Sequence, residues 1–516
     1  MENEPETPVV REETPEPLPK RIRYKIEYRP YKRIADTYGG WDVESIAKVH
    51  QENQAAREAL MVEDLGRVDI ESLCMSIRSR IPSELSYALT VLGMLSMPGK
   101  GDDKGGLGLG HCDDLLDDLV DLIEDETFGE NGWKAWAQAL EGDAAEHGPL
   151  ASDRLEAGIA THSEMLVSAQ VDDLTAMIDA DGQDHPSSRR AELVLLVVGL
   201  LRNFSLMADN YSIMTQHGRF VEIMIRVCDV RLTLPTPTEP SKSSNGAVTL
   251  KRSEHLRLRE DVLDIFHGLS SNLILTVLPL DAVGLMMELA LSHLKGSQTE
   301  SVSDRLFRGR GELKVLPDRA ILALEVLTQT SCADQNRRIL RQLDGRIVTD
   351  AFLTCLKYLA FDAEDAKTLA YKPAMVEVQV KLAFCLYNLA FVGSLAVRAR
   401  IRETVGVLPV LGTSIHLLSR APPAHPYALI VRCLSETLEV LNGPDELMGE
   451  RRQLTFGSQA SARGLKGWND SQETMEQGIL AAYEDRLLID YLAVGQAAGR
   501  LDQTTFGAIS RAVWAL

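Results

Sequence analysis

Aromatic side chains are scarce: Phe, Trp and Tyr make up 5% of the 516 residues, although 45% of the chain is hydrophobic. The apolar content is therefore mostly Leu, Val, Ile, Ala and Met, which suits helix-on-helix packing better than sheets, whose pleated surfaces favour aromatic and β-branched residues. Cysteine is sparse as well. Cys74, Cys112, Cys228, Cys332, Cys355, Cys385 and Cys433 are scattered singly, with no CxxC pair, so no disulfide framework is expected and they read as small buried hydrophobes in a reducing compartment. Long apolar runs are missing. Stretches such as Leu193 to Leu201 fall well short of the roughly 20 residues of a membrane span, and the acidic, Pro-rich start (Glu2, Glu4, Pro5, Glu6, Pro8) is unlike a signal peptide. A soluble, intracellular protein without membrane contact is expected.

Enzyme signatures are lacking too. There is no GxSxG elbow and no HExxH; the Gly-rich stretch Gly99 to Gly110 has neither a GK[ST] ending nor an evident strand before it; His111 beside Cys112 has no second pair to complete a metal site. Neither catalysis, nor a metal, nor a cofactor is expected.

What the sequence has in excess is negative charge: 75 acidic against 54 basic residues give a formal net charge of -21, which repels nucleic acid when averaged over the surface. Any DNA contact must be local or indirect. One concentrated positive run stands out, Lys20, Arg21, Arg23, Lys25, Arg29, Lys32 and Arg33, interleaved with Tyr24, Tyr28 and Tyr31. It fits equally a contact to DNA phosphates, a nuclear import signal, or a linker lying along the acidic body of its own protein. The segment 113–126, DDLLDDLVDLIEDE, sets one apolar helical stripe against eight carboxylates. It reads as a solvated acidic face, or as a docking surface for a basic helix that would relieve the crowded like charges.

Pro, Gly and Ser clusters divide the chain. Residues 1–24 read as a disordered acidic, Pro-rich tail turning basic, 25–66 as a linker, 67–230 as a first helical group, 231–257 as a flexible linker, 258–450 as a second group, 451–470 as a loop and 471–516 as capping helices. Within the groups a template recurs. Leu201, Asn203, Ser205, Asn210, Ile213 and Gly218 precede the apolar run from Phe220 to Ile225; 126 residues on stand Leu327, Gln329, Ser331, Asn336 and Ile339, with Gly345 one place late. That shift is three periods of about 42, inside the range of HEAT and armadillo units. Looser copies begin at Phe266, at Leu386 and, more degenerate, at Leu92. A helix apolar almost all round, such as 193–207, must be covered on every side; a Gly then permits the turn into a second helix that packs back, so units stack into an all-α, armadillo/HEAT-like solenoid. Val376, Val378 and Val380 alternate as in a strand, but the apolar pattern runs on to Val392, which favours helix.

Asn203 and Asn388 occupy the template position where armadillo proteins that clamp extended peptides place a groove Asn, and Gln329 is their equivalent. The related copies carry Gly268 and Met94 there and no Trp accompanies them, so a solvent-facing or capping Asn is the competing reading. Tyr387, beside Asn388, joins them as a candidate partner-binding residue.

The stretch Tyr31 to Val43, with its Tyr38-Gly39-Gly40-Trp41-Asp42 element, followed by 69–96, resembles the entry into the carboxy-terminal core of the ARID-bearing subunit of SWI/SNF chromatin remodellers, in a fungal-like form. The helix Leu85 to Thr90 and the blocks around Asn203 and Asn388 extend the likeness over most of residues 25–450. The resemblance implies a nuclear, non-catalytic armadillo scaffold that holds a helix of the ATPase subunit together with other core subunits, and it adds Trp41 to the candidate partner-binding set. No ARID module or Gln-rich segment is visible, so ARID-type DNA binding is not carried over. The alternative is an armadillo adaptor that binds linear peptides in transport or signalling.

Overall fold

The computed structural model describes residues 65–97, 106–138, 186–229, 250–295, 315–419 and 425–442, apart from single positions within 65–138, together with 232, 248 and five helical positions between 45 and 51. The chain divides into two units, 1–64 and 65–516. Every regular element among the described residues is a helix; none is a strand.

The helices of the second unit start and stop where local chemistry directs. Helix α1 (Ile70–Ser79) is capped by Asp69, whose carboxylate accepts from the Glu71 amide, and it ends on Arg80 in the left-handed region, φ 56°. Pro82 opens α2 (Pro82–Leu95), at a position where its missing N–H costs nothing. After a 3-10 turn (Leu109–His111) come α3 (Leu115–Phe128), α4 (Pro186–Phe204), α5 (Tyr211–Gln216) and α6 (Gly218–Arg226). Helix α7 (Arg252–Leu269) begins inside the expected linker because Glu254 reaches back to accept from the Lys251 amide at 2.8 Å. The 3-10 turn Leu275–Val277 leads to α8 (Leu280–Leu294), and α9 (Asp318–Cys332), α10 (Asp334–Leu340), α11 (Gly345–Leu356) and α12 (Ala363–Tyr371) follow. Then come α13 (Pro373–Val392), α14 (Leu395–Glu403), α15 (Val407–Ser419) and α16 (His425–Asn442).

Two rows emerge from the packing. The long helices α2, α4, α7, α9, α13 and α16 each pack on the next, and behind them α3, α6, α8, α11 and α15 do the same, with one continuous apolar core between the rows. The copies of the sequence template, at Leu92, Leu201, Phe266, Leu327 and Leu386, all fall in the carboxy-terminal part of a long helix. The turn glycines behave differently from expectation. Of the four glycines at the turns of the template copies, 218, 284, 345 and 406, Gly406 has a left-handed backbone, φ 96°; Gly218 and Gly345 start α6 and α11 at ordinary φ, and Gly284 lies inside α8 against Ile347 and Leu343.

The valine alternation at 376–380 is helical, within α13. Val376 and Gln379 turn inward, and Gln379 accepts from the Ala360 amide (2.9 Å) and donates to the Tyr358 carbonyl (2.8 Å). By length and composition alone α13 could cross a membrane, although Glu377, Gln379 and Lys381 break its apolar run. Here α9, α11, α12 and α16 pack against it.

Candidate functional site

The solvent side of the long-helix row carries the chemistry. Helices in contact bring the outer positions of one beside those of the next, and on α4, α7, α9 and α13 these positions are charged. Arg202 on α4 pairs with Asp261 (3.1 Å) and Asp264 (2.8 Å) on α7. Arg319 on α9 also pairs with Asp264 and reaches Glu260 at 3.6 Å. His267 on α7 meets Glu325 on α9, and Glu325 meets Lys381 on α13, which Glu377 also holds at 3.0 Å. Burial alone would raise the Glu325 carboxyl, yet hydrogen bonds and charge from Lys381 and His267 outweigh it and hold the group below its ordinary value. At Asp261 burial wins over the nearby arginines and the carboxyl is raised. Pairs this exposed stabilise little; their consequence is registry, because they pin α4 to α7, α7 to α9 and α9 to α13.

Apolar groups flank this charged ladder. Leu206, in the turn after α4, is 56% exposed and Phe384 on α13 is 39% exposed. Tyr387 is half-buried, its ring 6.2 Å from that of Phe391, and the Arg337 guanidinium sits 4.8 Å from the Phe391 ring centroid. Half-buried aromatic and Arg side chains side by side, next to the exposed Phe384, are the composition of a binding hot spot.

The candidate partner-binding residues sort unequally. Asn203 is half-buried and donates to Ser96, the C-cap of α2, at 3.0 Å. Gln329 is exposed on α9. Asn388 is 0% exposed: its amide donates to Cys332 Sγ (3.3 Å) and the Thr328 carbonyl (3.5 Å), and its oxygen accepts from Arg337 at 3.3 Å. An amide spent on neighbours cannot clamp a peptide backbone, so this geometry weighs against a groove Asn at 388. The template position faces the end of the preceding long helix, which also explains Gly268, whose added Cβ would lie 2.9 Å from the Ser205 carbonyl oxygen. Asn388 and Tyr387 share one cluster with Arg337 and Phe391, whereas Asn203 lies apart, on α4. Trp41 and the basic segment Lys20, Arg21, Arg23, Lys25, Arg29, Lys32 and Arg33 lie outside the described residues.

On α3 the acidic stripe meets basic side chains of its own chain. Arg78 pairs with Asp114 (2.7 Å) and Asp118 (2.6 Å), Arg80 with Asp125 (2.7 Å), Arg190 with Glu126 (3.2 Å), Arg219 with Asp121 (2.6 Å) and Glu124 (2.7 Å), and His217 with Asp117 (2.8 Å). All seven described carboxylates between 114 and 126 thus have a partner, and the repulsion that suggested a docking helix is relieved from within. These partners come from α1 and its C-cap, from α4, and from α6 and its N-cap, too far away in sequence for a local reading to find.

Five of the cysteines are buried and Cys112 and Cys332 are half-buried; all seven are free thiols. Burial, then the hydrogen bond to Cys112, pushes the Cys74 thiol up to about 12, so it stays protonated. Among the described residues no three or more His, Cys, Asp or Glu side chains converge as metal ligands would.

No family model matches the chain. It is 27% identical over 267 residues, 48% of its length, to the SWI/SNF chromatin-remodeling complex subunit sol1 of Schizosaccharomyces pombe, and the match spans 27% of that protein. The chain therefore has a relative among chromatin-remodelling subunits and covers about a quarter of that relative's length.

Proposed function

We propose that the chain is a non-catalytic scaffold subunit of a SWI/SNF-type chromatin remodelling complex, acting in the nucleus through an armadillo-like solenoid. The observation that carries this reading is the 27% identity over 267 residues to a subunit of such a complex. The helix arrangement supports the solenoid: no helical pair can bury its own apolar face, and each long helix is covered by the next. Its work is binding through wide helical surfaces, with a helix of the ATPase subunit and other core subunits as partners. The long-helix face, with Phe384, Tyr387, Phe391 and Arg337 at one end and Leu206 towards the other, is the surface assigned to them. The groups 67–230 and 258–450 are two blocks of one array.

The test is affinity purification of the tagged chain from nuclear extract, with mass spectrometry of what accompanies it. A remodeller ATPase in near-stoichiometric amount is the expected result, and its absence overturns the proposal. Phe384→Asp, on the exposed face, should weaken the association while leaving the helical content unchanged.

A further inference from the structure

Two pairs of cysteines bring their sulfurs together across the fold, in different surroundings. Cys74 on α1 and Cys112, just after the first 3-10 turn, are 38 residues apart in the chain, with their sulfurs 3.4 Å from each other. Cys355 on α11 and Cys385 on α13 have theirs 3.9 Å apart. This second pair is closed to solvent, both side chains being 0% exposed. In the first pair Cys74 is buried but Cys112 is half-buried, so one member is within reach of a small solute.

The first pair is also anchored on both backbone segments. Arg78, one helical turn after Cys74, pairs with Asp114 and Asp118, which follow Cys112. Before Cys112, the Leu109 amide donates to Asn210 at 2.8 Å, and the Cys112 amide donates to the Leu109 carbonyl at 3.1 Å. The two sulfurs are therefore set against each other by α1 on one side and by a turn that Asn210 ties into the array on the other.

We propose that Cys74 and Cys112 form an oxidative modification site, which hydroperoxides close into a disulfide that staples α1 to the turn before α3. The sulfur of Cys112 attacks one oxygen of hydrogen peroxide, the O–O bond breaks, and the thiol proton leaves with the other oxygen as water. Cys112 is thereby oxidised to a sulfenic acid and the peroxide is reduced. Cys74 then attacks that sulfur, the S–O bond breaks, and the displaced hydroxide takes the Cys74 proton to give a second water. Exposure sets the order of the steps, and so does protonation, because burial keeps Cys74 a thiol and a poor first target. A disulfide holds its sulfurs about 2.0 Å apart, so the pair closes by about 1.4 Å, a distance that side-chain rotation covers. Thiol exchange reverses the link. The Cys355–Cys385 pair has the proximity without the access, and it stays reduced in the folded chain.

The full chain, freed of reductant, is treated with hydrogen peroxide and quenched with iodoacetamide in urea, and its unreduced tryptic peptides are analysed by mass spectrometry. The expected product joins the Cys74 and Cys112 peptides with the loss of two hydrogens, and dithiothreitol separates them. Cys355 and Cys385 should be recovered alkylated. Closing so long a loop restrains α1, whose amides should exchange at least about tenfold more slowly in the oxidised chain. In Cys74→Ser, Cys112 should stop at the sulfenic acid and be trapped by dimedone; in Cys112→Ser, Cys74 should stay a thiol. If loss of the buried Cys74 disturbs folding, Cys112→Ser at its half-buried position carries the test alone. The proposal is overturned if Cys112 advances to the sulfinic acid while Cys74 remains free. Linkage of Cys355 to Cys385 as fast as the first pair, or unchanged exchange in α1 after the link forms, would overturn it as well.

Discussion

Asn210 and Asn336, 126 residues apart, do the same work in two stretches of the helical array that are separated by the α7–α8 stretch. Each side-chain oxygen accepts from the amide of a 3-10 segment in the preceding pair of helices, Leu109 for Asn210 and Leu275 for Asn336, both at 2.8 Å. Each side-chain amide donates to the end of its own long helix, at the carbonyls of Phe204 and Thr330, both at 3.1 Å, and Asn336 also donates to the Leu273 carbonyl at 2.8 Å. Both are buried, so every one of these bonds lies away from water.

Removing one should therefore cost more than a single hydrogen bond. Asn336→Ala leaves the Leu275 amide and two carbonyls without partners, for an expected loss of about 3 kcal/mol; Asn210→Ala, with two bonds, should lose about 2 kcal/mol. Equilibrium urea unfolding measures both. Losses below about 0.5 kcal/mol would mean water replaces the side chain and the buried bridge is not structural.

Two glycines should respond to the same substitution with opposite signs. Gly268→Ala places a Cβ 2.9 Å from the Ser205 carbonyl oxygen, a backbone atom that can move only by separating α4 from α7, so a destabilisation of about 1–3 kcal/mol is expected. Gly199, inside α4, has nothing within 4 Å of a built Cβ, and Gly199→Ala should stabilise by up to about 1 kcal/mol through helix propensity. Thermal melts of the two variants would settle the sign, and equal shifts would show that the close approach at 268 is not tight.

The contrast between these sites shows how far sequence reasoning reaches. The template of Leu, Asn and Ser finds the long helices because burial on every side leaves an apolar period that can be read locally. It also found Asn210 and Asn336 in register, though not what they bind. It read Asn203 and Asn388 as one kind of residue, and the fold separates them: Asn388 is enclosed, with Arg337 of α10 bonded to its oxygen, and Asn203 is half-buried. The relief of the α3 carboxylates was not legible, because it joins elements tens of residues apart, and only the packing of the helices makes them neighbours.

Acid should weaken the fold through His255 before most carboxylates titrate. Its ring is 0% exposed, and burial, then the charge of Arg259, lowers its pKa to about 3. The unfolded imidazole takes its proton near 6.5, so between those values the unfolded state binds more protons and stability falls as pH falls. The contribution is complete above about pH 6.5 and amounts to about 2 kcal/mol lost between pH 7 and 5. Urea midpoints across that range should drop, and His255→Phe, which has nothing to protonate, should flatten the dependence. An unchanged slope in that variant would assign the acid sensitivity elsewhere.

Glu325 adds a second acid-dependent step, lower on the scale and different in its salt response. Its folded carboxyl sits below the ordinary value, so its contribution is present above the unfolded Glu range near 4.3 and disappears as pH falls through the folded value. Because Glu325 and Lys381 are both partly exposed, Glu325→Gln should cost only about 1 kcal/mol at low salt, and less as salt rises. A double-mutant cycle with Lys381→Met isolates the pair from the neighbouring His267. A coupling energy of at least about 0.5 kcal/mol that shrinks with salt is expected if the ion pair pins α9 to α13. No coupling would mean that apolar contact between the two helices alone sets their register, and the charged ladder would then be a solvated face with no part in ordering the row.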